Sequence, residues 1–331
     1  MEDLVLHLMT IKGSSESGRY LDELPKGLYL LMRVLRYNQM QNDMEIWQEM
    51  KVEDYQFFQQ NGYLSLGRIL TDEELGFYLH LYDQDRAEKQ DFWFDYGHHH
   101  QTANYDVLVS TPEFDSLVRH PKVMRPLNNL MENDICFSEI GIRHMAAYTG
   151  EPRHCVWHRD GDVHGGRHLM GHPLRIRNVQ LIVYLSDVDE TTHCFSISPE
   201  SVDQPVLQKG EQLKKGGIHN LHGQAGTAVL FNFSVLHTVT VRVTQKERKT
   251  AQIYYGHRNR PYMANDSLIP VDFWRDHPDV EVRAFYGVLN DKTRKYLEIA
   301  GAKKHSLKGS AEILYEIDYK NRRKRSLAQN A

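Results

Sequence analysis

Apolar and polar positions alternate with two different periods along this chain, and the change of period divides it. Near the N-terminus Leu28, Leu31, Met32 and Leu35 recur at i, i+3, i+4 and i+7, one face of a helix. A further helix is predicted after Thr71-Asp72-Glu73-Glu74, where Thr71 can cap the first turn and Glu74 can reach back to complete a capping box. Leu75, Tyr78, Leu79 and Tyr82 would form its apolar side. From about residue 138 the period drops to two. The predicted strands are Ile140–Tyr148, Val179–Leu185, Cys194–Ile197, Thr227–Phe233, Val235–Val243 and Thr250–Tyr255, separated by Gly, Pro and Asp turns. Short strands without helices between them predict antiparallel sheets in a sandwich or jelly roll. In the second strand Val179, Leu181, Val183 and Leu185 face one way, leaving Asn178, Gln180, Ile182 and Tyr184 to line a polar pocket on the other.

Helical periodicity returns over 271–301, with Trp274, Val282, Phe285 and Tyr286 as packing residues. The expected organisation is a helical extension over 1–50, a β domain over 51–265, and a mostly helical C-terminal extension over 266–331 packed on the same domain. The basic tail Lys320 to Arg325 reads as a solvated terminus. With 331 residues, 40% apolar content and a net charge of −4, the composition suits a globular chain with no nucleic-acid partner. Three cysteines and no basic, apolar leader argue for a cytoplasmic protein, and no apolar run is long enough for a bilayer.

The chemistry concentrates in Trp157-His158-Arg159-Asp160. On an extended segment residues i and i+2 share a face, so His158 and Asp160 can grip one ion. His237, beside the apolar run Ala228 to Leu236, would complete a two-histidine, one-carboxylate triad, an arrangement that leaves open positions on Fe(II). Arg248 follows eleven residues later, at the head of a strand, where a guanidinium can hold a dicarboxylate through two bonds. A second H-x-D, His277-Pro278-Asp279, is rejected because proline does not fit a central strand.

This ordered set resembles the phytanoyl-CoA dioxygenase family of Fe(II)/2-oxoglutarate-dependent oxygenases. Phe57 to Leu64 followed by Leu70 to Leu75, Tyr184 to Val188, and Ile197-Ser198-Pro199-Glu200-Ser201 are also similar to family segments, and the resemblance covers about residues 52 to 260. It implies a mainly β fold with flanking helices (α+β), a cupin-like jelly roll of the double-stranded β-helix type. It implies Fe(II) held by His158, Asp160 and His237, with 2-oxoglutarate and O2 as co-substrates and Arg248 on the far carboxylate. The implied reaction is hydroxylation, or a related oxidation, of a C–H bond. Val239 stands where relatives often have a hydroxyl residue, which leaves Thr238 or Thr240, or Gln180 and Tyr184, to help bind 2-oxoglutarate. Glu200 and Val202 also depart from the family's usual glycine and histidine.

The expected partner is a small molecule, with no membrane partner and a monomer or homodimer as the assembly. An anionic substrate is suggested by the cationic stretch Arg153 to Arg177, with Arg143, Trp157, Arg159 and His168 as candidate contacts. Two other readings fit the same triad: a cupin-like metalloenzyme that does not use 2-oxoglutarate, and a non-catalytic ligand-binding relative.

Overall fold

The computed structural model describes residues 50–95, 100–132, 134–160, 178–204, 206–258, 264, 266–302 and 307–329. The expected helix within residues 1–50 therefore lies outside the described residues, apart from position 50 itself. The described chain starts with helix α1 (Val52–Asn61), which ends at Gly62. That glycine has φ +74°, and a Cβ there would lie 2.2 Å from Val235 Cγ2 and 2.7 Å from the Glu200 carbonyl oxygen. Only glycine suits both the left-handed turn and the crowding. Strand β1 (Tyr63–Arg68) follows directly.

Helix α2 (Asp72–Glu88) begins as its capping box predicts: the Glu74 amide donates to Thr71 Oγ1 at 3.2 Å and the Thr71 amide donates to Glu74 Oε2 at 2.8 Å. Tyr78, Leu81 and Tyr82 are buried beneath it, with Leu75 and Leu79 partly buried at the margin. After short strands β2 (Phe94–Asp95) and β3 (Thr102–Asn104), helix α3 (Pro121–Leu130) leads into the long β4 (Ile135–Met145).

Two antiparallel sheets carry the rest. They comprise β5 (Arg153–His154), β6 (Asn178–Tyr184), β7 (Cys194–Ser198), β8 (His219–Leu221), β9 (Thr227–Asn232), β10 (Leu236–Val241) and β11 (Arg248–His257). The larger sheet runs β1-β9-β6-β11-β4-β3-β2 and the smaller β5-β10-β7-β8. All six predicted strands are present with shifted ends, and the jelly-roll expectation holds. Period-two alternation explains the layering. Val179, Leu181, Val183, Ala251, Ile253, Ile140 and Ile142 pack with the helices on one face of the larger sheet. Ile182, Tyr184, Val229 and Phe231 turn the other way, toward Phe195 and Ile197 of the smaller sheet. Each fully buried aliphatic side chain in these layers contributes about 1.5–3 kcal/mol.

The C-terminal segments pack on the larger sheet's helical side. Tyr286 contacts Phe137 at a ring distance of 5.0 Å and its hydroxyl donates to Asp115 Oδ1 at 2.7 Å. Lys292, 1% exposed, donates to Asp106 Oδ2 at 2.6 Å, to Asp318 Oδ2 at 3.1 Å and to the Asp266 carbonyl at 2.8 Å. The rejected His277-Pro278-Asp279 caps the helix Val280–Tyr286, where Asp279 Oδ1 accepts from the Glu281 amide. Among the described residues no helix is long and apolar enough to cross a membrane.

Candidate metal centre and co-substrate pocket

The segment ahead of Asp160 lies along β10 as an extended arm. Cys155 N donates to the Val239 carbonyl at 2.8 Å, and His158 and His237 exchange two backbone hydrogen bonds of 3.0 Å. This pairing puts the two imidazoles side by side, 4.4 Å between ring centroids. Asp160, two residues beyond His158, returns its carboxylate to the same spot: Oδ1 is 3.3 Å from His158 Nε2 and 3.6 Å from His237 Nε2. Ligand atoms on three adjacent octahedral positions, at bonds of ~2.1 Å, would stand about 3 Å apart. All three lie within 4.8 Å of one another, and no other described histidine, cysteine or acid cluster has this geometry.

The tautomers fit metal binding as well. His158 Nδ1 donates to the Val156 carbonyl and His237 Nδ1 to the Val235 carbonyl, each at 2.8 Å. Both Nε2 lone pairs are therefore aimed at the shared space. Burial, followed by the charge on His158, pushes the His237 imidazole down to about 4, so it is neutral at ordinary pH. Burial alone would raise the Asp160 carboxyl. The facing His237, with hydrogen bonds from His158 and Gln180, outweighs it and holds the group well below the usual carboxylate range. A carboxylate and two imidazoles suit a divalent first-row ion.

Arg248 is the second unusual group. It is 4% exposed, and its Nη1 donates only to the weak acceptor Met145 Sδ at 3.2 Å. Its Nε has no hydrogen-bond partner, and no described carboxylate forms an ion pair with it. Burial lowers its pKa. A buried guanidinium without an anion is costly, and a bidentate carboxylate is the ligand that matches its geometry.

The sequence profile of the phytanoyl-CoA dioxygenase (PhyH) family matches residues 58–250, more than half of the chain. The chain belongs to the phytanoyl-CoA dioxygenase family. No curated protein matches it in sequence. Among solved structures it is similar to EctD from S. alaskensis with 2-oxoglutarate and 5-hydroxyectoine, at 16% identity over 68% of this chain and 84% of that one, TM-score 0.55. The epimerase SnoN in complex with Fe3+, alpha ketoglutarate and nogalamycin RO is similar at 14% identity, over 62% and 83%, TM-score 0.52. HygX from Streptomyces hygroscopicus with nickel and 2-oxoglutarate bound is similar at 16% identity, over 70% and 95%, TM-score 0.50. At these identities the likeness is one of fold.

In this phytanoyl-CoA dioxygenase family member, several residues expected at the co-substrate or substrate have other partners. Gln180 donates through Nε2 to Asp160 Oδ2 and accepts from Gln252 Nε2 at 3.0 Å. It steadies the carboxylate from behind and leaves Oδ1 for a metal. Outer partners of this kind typically change metal affinity ~10–100-fold. Gln180→Leu is expected to weaken Fe(II) binding within that range; wild-type affinity on titration would assign Gln180 no such role. Tyr184 donates its hydroxyl to the Leu221 carbonyl at 2.7 Å, with its ring near Arg248. Thr238 follows His237 on β10 and therefore points to the opposite face; its hydroxyl reaches the Val156 and Val239 carbonyls at 3.4 Å. The alternation of the strand removes it from the co-substrate side.

Arg159 likewise is no open substrate contact. It forms a buried two-point pair with Glu200, Nη2 to Oε1 at 2.6 Å and Nε to Oε2 at 3.1 Å. The family departure at Glu200 thus has a structural reason, since Glu200 also accepts from the Leu236 amide at 3.3 Å, one residue before His237. Replacing Arg159 with Met leaves Glu200 buried without its cation, with an expected loss of about 3–5 kcal/mol in chemical denaturation. An unchanged midpoint would show the pair to be dispensable. Trp157 is half-buried against His154 at a ring distance of 5.6 Å, and His168 lies outside the described residues.

Arg143 does reach the concave face, where its Nη2 donates to Tyr105 Oη at 2.9 Å and Tyr254 Oη at 3.5 Å. Gln252, Tyr254 and Glu139 share that face and were not anticipated. Alternation along Arg248, Thr250, Gln252 and Tyr254 was the available signal for two of them. Glu139 escaped because the predicted strand began at Ile140, just past it, whereas β4 starts at Ile135.

Proposed function

We propose that this chain is an Fe(II)- and 2-oxoglutarate-dependent dioxygenase that hydroxylates, or otherwise oxidises, a C–H bond of a small molecule. Its family membership makes an oxygenase the starting point. The observation that carries the residue assignment is the convergence of His158 Nε2, His237 Nε2 and Asp160 Oδ1, with both Nδ1 atoms tied to carbonyls. His158, Asp160 and His237 would hold the iron, and Arg248 would receive the far carboxylate of 2-oxoglutarate.

Bound iron, with 2-oxoglutarate and O2, supplies the oxidising chemistry, in which decarboxylation to succinate and CO2 drives substrate oxidation. The chain's own residues do the rest. The carbonyls of Val156 and Val235 fix the imidazoles, Gln180 fixes the carboxylate, and Arg248 orients the co-substrate in a site lined by Phe195 and Phe231, which stand 5.3 and 5.5 Å from the His237 ring. Asp160 as a ligand argues against halogenation, which needs that position for halide. Arg143, with Tyr105 and Tyr254, is the candidate contact for an anionic group of the substrate. Buried thiols at Cys136 and Cys194 support the cytoplasmic assignment.

The test is an anaerobic titration of the protein with Fe(II) and 2-oxoglutarate, followed by visible absorption. A weak metal-to-ligand charge-transfer band in the wild type is the expected result. Metal binding without the band would favour a cupin-like metalloenzyme that does not use 2-oxoglutarate. No metal binding would leave a non-catalytic ligand binder.

A further inference from the structure

Behind Asp160 the concave face holds three polar side chains that bond to one another. Gln180 is fully buried, Gln252 is 4% exposed and Tyr254 7%. Strand pairing explains their meeting. Tyr254 of β11 stands directly opposite Gln180 of β6, and Gln252, two residues before Tyr254 on the same face, is its diagonal neighbour. On the other side Tyr254 faces Glu139, which a one-residue bulge at Ser138 turns inward while Phe137 stays in the helical core. Glu139 Oε2 makes no hydrogen bond, so it does not compete for the Tyr254 hydroxyl.

Chemistry fixes the direction of each bond. A carboxylate oxygen can only accept, so Gln180 must present Nε2, not Oε1, to Asp160 Oδ2. Its Oε1 is thereby turned toward β11, where it accepts from Gln252 Nε2 at 3.0 Å. The second hydrogen on that nitrogen goes to Tyr254 Oη at 3.2 Å, and Arg143 Nη2 approaches the same oxygen at 3.5 Å. Gln252 therefore spends both its N–H bonds, one on Gln180 and one on Tyr254. If the Gln180 amide turned over, Oε1 would face the Asp160 carboxylate and Nε2 would face Gln252 Nε2. Each contact would then set like against like in a buried place, which costs more than the bond it replaces. Without Gln252, Gln180 has only Asp160 to orient it among the described residues.

We propose that Gln252 is a positioning residue for the metal centre: anchored on Tyr254, it fixes the Gln180 amide so that Asp160 is held by Oδ2 and offers Oδ1 to the ion. This rests on the metal half of the proposed function and not on 2-oxoglutarate. It also gives β11 two tasks. Arg248 at the head of that strand faces the co-substrate, and Gln252, four residues on and on the same side, holds the support of an iron ligand. One rigid strand thus sets the arginine and the carboxylate relative to each other.

The experiment is an anaerobic Fe(II) titration of the full chain as a double-mutant cycle: wild type, Gln252→Leu, Gln180→Leu and the two together. Gln252→Leu is expected to bind Fe(II) about 3- to 10-fold more weakly, the worth of one oriented hydrogen bond. In the Gln180→Leu background the same change should add less than about twofold, because a residue that acts through another then has nothing to act on. Tyr254→Phe removes the anchor with little change of shape and should weaken Fe(II) binding about twofold or more, again only while Gln180 is present. It carries the same cycle alone if Gln252→Leu does not fold. Melting temperatures of the metal-free proteins separate positioning from packing. A merely structural Gln252 would shift the melting temperature and leave Fe(II) affinity at the wild-type value. That result, or an equal loss of affinity with and without Gln180, would overturn the proposal. A wild type that binds no Fe(II) would sink the metal reading and this proposal with it. A wild type that binds Fe(II) but shows no charge-transfer band with 2-oxoglutarate would sink the co-substrate reading alone.

Discussion

Asp160→Ala is expected to abolish tight iron binding and all turnover of 2-oxoglutarate. The reason is that Asp160 is the only anion among the three converging ligands and the group against which both imidazoles are set, at 3.3 and 3.6 Å. Removing a supporting partner of a metal ligand costs ~10–100-fold in affinity, and removing the ligand itself should exceed that, at more than about 100-fold. Metal content after gel filtration, with an Fe(II) titration, measures it. Asp160 is also what raises the His158 imidazole against the lowering effect of burial. The variant should therefore keep two neutral histidines and its secondary structure, which circular dichroism can check. Stoichiometric iron at wild-type affinity in Asp160→Ala would move the metal site elsewhere in the chain.

Arg248→Met is the second large effect, and its two consequences point in opposite directions. Truncating one partner of a buried charge pair typically costs about 2–5 kcal/mol of binding, or roughly 30- to 4,000-fold, and the Kd for 2-oxoglutarate should rise accordingly. The protein without co-substrate, by contrast, should be no less stable, because the guanidinium that methionine replaces is buried with only Met145 Sδ as an acceptor. Arg248→Lys should recover little of the binding, since an ammonium cannot reproduce two parallel bonds to a carboxylate. Calorimetry with 2-oxoglutarate and thermal melts of the apo protein read the two effects. Tight co-substrate binding in Arg248→Met would reassign the carboxylate to another cation, with Arg143 as the next to replace.

The residues most legible in the sequence are those whose roles depend on local spacing. An H-x-D motif on an extended segment puts two ligands on one side whatever the rest of the chain does. A capping box starts a helix at Thr71 for reasons contained in four residues. Val179 to Leu185 sorts itself into a packing face and a pocket face because a strand has a period of two. The pairing of His237 with His158, nearly eighty residues apart, was reachable only because a histidine at the start of a late apolar strand suits a sandwich that closes on itself.

Thr238, Arg159 and Gln180 show where that kind of reasoning stops. Thr238 had a suitable hydroxyl near a ligand, but a neighbour in a strand faces the wrong way. Arg159 sat between two ligands, and its charge was taken by Glu200, forty-one residues on. Gln180 was placed on the pocket side correctly, yet its amide serves Asp160. Each outcome depended on which partner arrived from a distant segment.

What the sequence by itself determined is the chemistry: two imidazoles, a carboxylate and an arginine on β segments, and with them the family and the jelly roll. Periodicity and residue type carry this information locally, so it survives without a structure. Only the tertiary structure decided which charges are already paired and which remain open. Arg159 was closed by Glu200, Arg248 was left with a sulfur, and a one-residue bulge turned Glu139 into the site. Hydrogen-bond partners and bulges are set by contacts between strands far apart in the chain, and no local pattern records them.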